Sequence, residues 1–484
     1  PPRSTLFPYT TLFRSGKAGS GKTQFMHSVL NQIVKFEEMI IFYDRKEDFW
    51  TRYYREDKDY IFYPQHTKTI KWNIFDDIRE FSDILFYAEA IIPKNPEKKD
   101  SHWDDQARVV LVATILAVCD ENYNSTNKAF IEFIHKNASK EFLVNRLKSN
   151  EMVIKHGYQG RVFGALTDDK QGDSVFASLN PYFDELTKPE FFHDESTFVV
   201  RDFIQKNAKE NIDSRLFLVH PNEKDASYRT YFRLFINVIL RNLLKLREQN
   251  GRRIHLILDE FNSLGKIKEL EATPEVSRYI GVSMWLLSQS LAKIKENYGE
   301  NLRDSLFQLM STKVIFQYDE PTGTRYLSDF LGDQETRELS NNRMMALEGT
   351  KDLSQFQERV SNKKTFLNSQ FGTLKVGGGI VEGIIKISHY PVGKFSNKTR
   401  EYKKLHNELA ENEQVRYPLF DYLLKQKDES KEDEQENSEE LKKNKDKQKT
   451  NLSNTELQNM TFGDEGVSES ETLLFSDDER GRDL

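Results

Sequence analysis

Gly16-Lys17-Ala18-Gly19-Ser20-Gly21-Lys22-Thr23 fits the pattern G-x-x-x-x-G-K-[ST] at every required position. Its three glycines let the backbone turn tightly and point successive N–H groups inward, with no Cβ between them and an anionic phosphate. Lys22 brings a positive charge to the β- and γ-phosphates, and the Thr23 hydroxyl suits Mg²⁺. A helix starting there aims its positive dipole end at the same phosphates. The expected ligand of Gly16 through Thr23 is ATP with Mg²⁺.

A phosphate loop needs a metal partner and a group that orients the attacking water. Ile254-His255-Leu256-Ile257-Leu258 reads as a buried strand ending in Asp259 and Glu260. Asp259 is expected to hold Mg²⁺ through water, and Glu260 to act as general base or water-orienting group from the tip of a strand neighbouring the loop. A strand followed by an acid is a weak signal alone; with the phosphate loop it becomes strong. Val282-Ser283-Met284-Trp285-Leu286-Leu287-Ser288 gives another strand and runs into Gln289, whose amide can hydrogen-bond the γ-phosphate or the water. Arg278 precedes that strand, and its permanent, planar charge suits phosphoryl transfer, often across a subunit boundary. A strand-end amide and a surface arginine are the plainer readings of these two.

These residues need a parallel sheet to position them. Phe25, Met26, Val29, Leu30 and Ile33 recur at helical spacing, predicting a helix over 22–36. Met39-Ile40-Ile41-Phe42-Tyr43 reads as a buried parallel strand closed by Asp44. Asp44, Lys46 and Glu47 then fall where open α/β sheets place ligands, although a solvated turn explains them as well. Residues 76–190 carry helical periodicity without strands and are read as an all-α domain inserted into the α/β domain. His102 and Trp103 open its second helix, and Trp103 is read as core. The α/β texture resumes over 191–392, with strands expected at Phe198-Val199-Val200 and Arg215-Leu216-Phe217-Leu218-Val219 and a long helix over 228–247.

At 484 residues the chain calls for two or more domains. The balance of 70 Lys+Arg against 77 Asp+Glu excludes a polycationic surface, so any nucleic-acid contact must be a local patch. The single cysteine, Cys119, cannot form an internal disulfide, and its apolar surroundings predict a buried thiol in a reducing compartment. No run of about 18 apolar residues occurs, so the chain as given does not span a membrane. Residues 1–15 abut the phosphate loop where a buried strand belongs, yet contain Pro8; they are read as a foreign leader replacing a lost N-terminus. Residues 393–424 keep weak helical spacing, and 425–484 are read as a disordered charged tail, the Lys425–Thr450 stretch being almost wholly polar.

The stretch from Gly16 to about Val392 resembles the cytoplasmic part of the TraD/TraG-type coupling proteins of type IV secretion. The matching stretches run over 16–23, 40–49, 72–76, 258–265, 287–290, 298–299 and 328–332; Leu258-Asp259-Glu260-Phe261-Asn262-Ser263-Leu264-Gly265 is the most distinctive. The resemblance implies a RecA-like P-loop NTPase domain with a mainly parallel sheet, an inserted all-α domain and homo-hexamers with nucleotide at subunit interfaces. It implies ATP-driven handling of single- or double-stranded DNA, with Lys22, Thr23, Asp259, Glu260 and Gln289 in the roles above and Arg278 acting in trans. It further implies type IV secretion channel components as partners, relaxase and relaxosome proteins binding through the acidic tail, and the cytoplasmic face of the bacterial inner membrane as location. The N-terminal membrane helices of such proteins are absent from this chain. Lys266, Lys268, Lys293 and Lys295 are candidate DNA contacts. An FtsK-like or HerA-like DNA pump and a non-catalytic nucleotide-binding adaptor are the alternatives.

Overall fold

The computed structural model describes residues 12–16, 19–94, 101–119, 125–167, 169–220, 225–246, 253–277, 279–342 and 355–399. They lie in one compact unit, 1–416. The expected tail over 425–484 and most of the 393–424 extension fall outside them.

Continuous apolar runs make strands that must be covered on both faces. The described strands are β1 (Leu12–Ser15), β2 (Met39–Asp44), β3 (Tyr60–Phe62), β4 (Arg215–Val219), β5 (Ile254–Leu258), β6 (Val282–Ser288), β7 (Thr312–Ile315), β8 (Asp333–Asn342), β9 (Gln355–Lys364), β10 (Val376–Gly377), β11 (Ile380–Ile387) and β12 (Gly393–Lys398). Ten of them form one sheet in the order β10-β11-β7-β1-β6-β5-β2-β4-β3, with β12 on β11. Every pairing from β7 to β3 is parallel, and β11 closes that side antiparallel to β7. β8 and β9 form a separate two-stranded ribbon.

Alternate side chains of each strand enter two different cores. Ile40 and Phe42, Ile257, and Trp285 and Leu287 face the helix Lys22–Ile33 through Met26 and Leu30. Ile41 and Tyr43, Leu256 and Leu258, and Met284 and Leu286 face the helix Asp225–Leu244 through Phe232, Phe235 and Ile239. Between β3 and β4 the described residues are helical or irregular, apart from isolated bridge residues at His66, Trp72 and Phe198, the last two paired with each other. Among the described residues no helix is long and apolar enough to cross a membrane.

Leu12–Ser15 supplies the strand that belongs before the phosphate loop, clear of Pro8, and pairs with both β6 and β7 in the middle of the sheet. Three expectations change. Phe198-Val199-Val200 is not a strand: Val200 opens the helix Val200–Glu210, because the Asp77 carboxylate accepts the Val200 and Arg201 N–H groups at 3.1 and 2.9 Å. Gly393–Lys398 is a strand rather than a weak helix, since pairing with β11 satisfies its backbone. The acidic strand β5 is not adjacent to the phosphate-loop strand, for β6 lies between them.

Candidate functional site

The phosphate loop leaves β1 at Gly16 and enters the helix Lys22–Ile33 through Gly21, which has φ +82°. This backbone is strained for any residue with a Cβ, and a Cβ there would also strike the Val381 side chain. At Gly16 the constraint is space: a Cβ would lie 2.7 Å from Ser20 Oγ and 2.8 Å from Phe316 Cβ. Lys22 is buried, and its Nζ donates to the Gly16 carbonyl, so the ammonium sits inside the loop. Gly19 has φ +73°, Ser20 is buried and Thr23 is half-buried on the first helical turn. Lys17 and Ala18 fall outside the described residues.

The sheet brings the acidic pair to the same edge. Ser15 pairs with Ser288 across β1 and β6, and Leu258 pairs with Leu286 across β5 and β6. Gly16, Gln289 and Asp259 therefore come off the carboxyl ends of three adjacent parallel strands, Gly16 level with Gln289 and Asp259 level with Leu287, which puts the outer two about 12 Å apart. Asp259 still belongs to the ladder, donating its N–H to the Tyr43 carbonyl at 3.0 Å. Two residues beyond Ile257, it continues the face covered by the phosphate-loop helix. Its charge is also one of the influences that raise the pKa of Asp44.

Glu260 diverges from its neighbour. It takes φ +54°, and its Oε1 accepts the Gln289 backbone N–H at 3.4 Å. A left-handed non-glycine residue costs on the order of 1–3 kcal/mol, so its surroundings must hold it. Buried Asn262 does much of this: its Nδ2 donates to Ser288 Oγ and to the Ser290 carbonyl at 3.2 Å. Asn297 Nδ2 donates to the Asn262 carbonyl at 2.9 Å, and Tyr43 Oη lies 3.1 Å from Ser263 Oγ. The tips of β5 and β6 are thus laced together. Sequence reasoning passed over Asn262 and Ser288, although both stand in stretches that carried the family resemblance.

Asp44 proves to be a turn residue. Its Oδ1 accepts the Lys46 and Asp48 N–H groups at 3.3 and 3.1 Å, and its Oδ2 those of Phe49 and Trp50 at 2.8 and 2.9 Å. Burial pushes its carboxyl up to about 7 against the opposing pull of the Trp50 and Phe49 N–H groups. Glu47 accepts from Trp50 Nε1 and Tyr63 Oη, both at 3.1 Å. Lys46 instead lines a cleft of about 740 Å³ together with Arg45, Arg229, Glu260, Gln289 and Lys293.

The candidate lysines separate into two kinds. Lys266 pairs with Glu271 at 2.8 Å, Lys268 pairs with Glu89, and Lys295 pairs with Glu300 at 3.3 Å. Lys293 has no ion pair among the described residues. Arg278 falls outside them. Its neighbour Ser277 accepts the Val282 N–H at 2.9 Å, at the amino end of β6 and so at the opposite sheet edge from the phosphate loop.

Among the described residues there is no cluster of three or more His, Cys, Asp or Glu that could cage a metal. Mg²⁺ takes one or two hard protein oxygens and completes its shell with phosphate and water. The Thr23 hydroxyl and the Asp259 carboxylate are such donors.

Residues 10–394 match the family described as the type IV secretion-system coupling protein DNA-binding domain. The chain is 22% identical to the coupling protein TraD of Escherichia coli K12 over 324 residues, covering 66% of this chain and 43% of TraD. It is 25% identical over 248 residues to a conjugal transfer protein TraG of Escherichia coli, covering 46% of this chain and 38% of that protein. The chain therefore spans about two fifths of the length of these relatives. The fold matches the bacterial conjugative coupling protein TrwBdeltaN70 with TM-score 0.67 at 17% identity, over 82% of this chain and 86% of that one. TrwB in complex with ADP and Mg²⁺ matches with TM-score 0.65 at 16% identity, over 81% of this chain and 86% of that one. With four fifths of its length matched, this chain belongs to the type IV secretion-system coupling protein family.

Proposed function

We propose that the chain is an ATP-hydrolysing motor that engages DNA and delivers it, with attached protein, to a type IV secretion channel. The grouping of Gly16, Gln289 and Asp259 at the carboxyl ends of three adjacent parallel strands carries this reading. Lys22 and the loop amides hold the β- and γ-phosphates. Thr23 and Asp259 would hold Mg²⁺, which would neutralise charge on the triphosphate. Glu260 takes the proton of the attacking water or orients it, and the Gln289 amide contacts the γ-phosphate or that water.

Arg278 acts in trans on a neighbouring subunit's nucleotide. Ser277, the residue before it, lies at the amino end of β6, about 20 Å of strand from the carboxyl end where the phosphate loop sits, and this supports action in trans. A homo-hexamer with nucleotide at its interfaces satisfies this requirement. Residues 16–75 and 191–392 form the motor domain, 76–190 the inserted all-α domain, and the acidic end of the chain binds relaxase or relaxosome proteins. The proposed location is the cytoplasmic face of the bacterial inner membrane.

The test is ATP turnover with and without single-stranded DNA. A motor hydrolyses ATP, speeds up on DNA and stops in Glu260→Gln. Nucleotide binding without turnover assigns the chain to the adaptor class instead.

A further inference from the structure

The cleft beside Glu260 opens on the face of the helix Asp225–Leu244, which supplies Arg229, whereas the phosphate-loop helix covers the opposite face of the sheet. No residue of the phosphate loop lines it. Its charged lining consists of Arg45, Lys46, Arg229 and Lys293 against Glu260 and Glu296, four cations to two acids. This excess stands out in a chain with 70 basic and 77 acidic residues. Lys46 and Lys293 are exposed and have no ion pair among the described residues, while Lys266, Lys268 and Lys295 outside the cleft are each paired. The neutral lining is made of asparagine, serine, glutamine and glycine, with no aromatic ring for a base to stack on.

We infer that this cleft binds the phosphodiester backbone of a single nucleic-acid strand, independent of base sequence, with Lys46 and Lys293 as its principal phosphate contacts. The inference rests on the reading of the chain as a DNA-engaging motor and assigns that engagement to a place. Cations without aromatic platforms hold a backbone and do not read bases. The site also adjoins the hydrolytic groups: Glu260 and Gln289 line the same cleft and are joined by the Gln289 N–H to Glu260 hydrogen bond at 3.4 Å. A strand seated there brings negative charge beside Glu260, so occupancy of the cleft is sensed at the water-orienting carboxylate. Ser290 continues the link, since its side chain caps the helix Leu291–Leu309 that carries Lys293.

The experiment is fluorescence anisotropy of a labelled single-stranded oligonucleotide of mixed sequence against the full chain over a salt series. It compares wild type, the double variant Lys46→Gln/Lys293→Gln, and Lys295→Gln as a paired-lysine control. Both cleft lysines are exposed, so the fold tolerates the change, and a melting curve checks it. For the double variant the expected result is at least about a fivefold loss of affinity at low salt. The log–log salt slope should fall by about 1.4, the release expected for two single-strand phosphate contacts. Lys295→Gln should bind as wild type. Binding of a fluorescent ATP analogue separates the two sources of phosphate: it should be unchanged in the double variant, and a parallel loss of nucleotide affinity would assign the cations to the nucleotide and overturn the inference. Wild-type binding with an unaltered double variant overturns the cleft and leaves the motor reading standing. Absence of oligonucleotide binding by wild type overturns both.

Discussion

Gln289 donates its backbone N–H to the Glu260 carboxylate at 3.4 Å, joining the residue just after β6 to the second acid of the pair after β5. β6 is the strand between the phosphate loop and the acidic pair, so a group bound in the loop lies beside Gln289, and Gln289 touches Glu260. This contact makes the strand order functionally meaningful. Under the proposed function, it gives the γ-phosphate end of a nucleotide a short mechanical route to the carboxylate assigned to the attacking water.

If Asn262 is what holds that arrangement, its loss should be felt in turnover more than in binding. Asn262→Ala removes the bonds to Ser288 and Ser290 and frees the Glu260 turn. We expect kcat to fall about tenfold, with affinity for a fluorescent ATP analogue unchanged and stability lowered by about 1–3 kcal/mol for the buried partners left unsatisfied. Steady-state kinetics and chemical denaturation measure the two effects. An increase in KM at constant kcat would contradict the positioning role.

Gly21→Ala tests the loop without altering charge. With φ +82° and Val381 in the path of a Cβ, the substitution should cost about 1–3 kcal/mol of stability and abolish nucleotide binding. Gly164→Ala serves as the comparison, because a Cβ there meets nothing within 4 Å. Thermal melting of the two variants, with and without ATP, separates loop strain from a general glycine effect.

Asp44 predicts a pH dependence with a definite sign. Its folded-state pKa of about 7 lies above the ordinary 3.8, so the fold binds more protons than the unfolded chain across that window. Its contribution to stability is therefore full below the ordinary value and is lost as pH rises through the folded value. Asp44→Asn does not titrate. The stability of wild type relative to this variant should fall by a few kcal/mol between mildly acidic and mildly alkaline pH, at about 1.4 kcal/mol per pH unit within the window. Urea denaturation of both proteins across that range makes the comparison, and a difference that rises with pH contradicts it.

Arg278 predicts recovery on mixing. Arg278→Ala subunits retain an intact phosphate loop, and Lys22→Ala subunits retain the arginine. If the arginine serves a neighbour's nucleotide, each homogeneous ring is inactive and mixed rings regain a fraction of wild-type turnover. Phosphate release measured against mixing ratio should pass through a maximum. A flat, inactive profile contradicts action in trans.

What could be read from the sequence was whatever is local. The phosphate loop, the helix after it, β2, β5 and β6 each announce themselves through spacing or an unbroken apolar run. The order of those strands is written in no local pattern, so the insertion of β6 between loop and acids emerged only from the fold. Phe198-Val199-Val200 looks like a strand by β-branching, but its fate is decided by Asp77, 123 residues away from Val200. β7 is only Thr312–Ile315 and holds a buried Lys313 over the Phe330 ring, which hides it from a search for apolar runs. The cleft gathers Arg45, Arg229 and Lys293 from three separated segments, and nothing in any one of them signals the others.

The most direct test of the account is phosphate release from ATP and Mg²⁺ by the purified chain, paired with equilibrium binding of a fluorescent ATP analogue. Wild type, Lys22→Ala and Glu260→Gln are compared in the presence of single-stranded DNA. The account predicts that Lys22→Ala loses binding and turnover together. It predicts that Glu260→Gln keeps binding while turnover falls about 100- to 10,000-fold, as for removal of a general base. Undiminished turnover in Glu260→Gln, or full nucleotide binding and hydrolysis in Lys22→Ala, would contradict it.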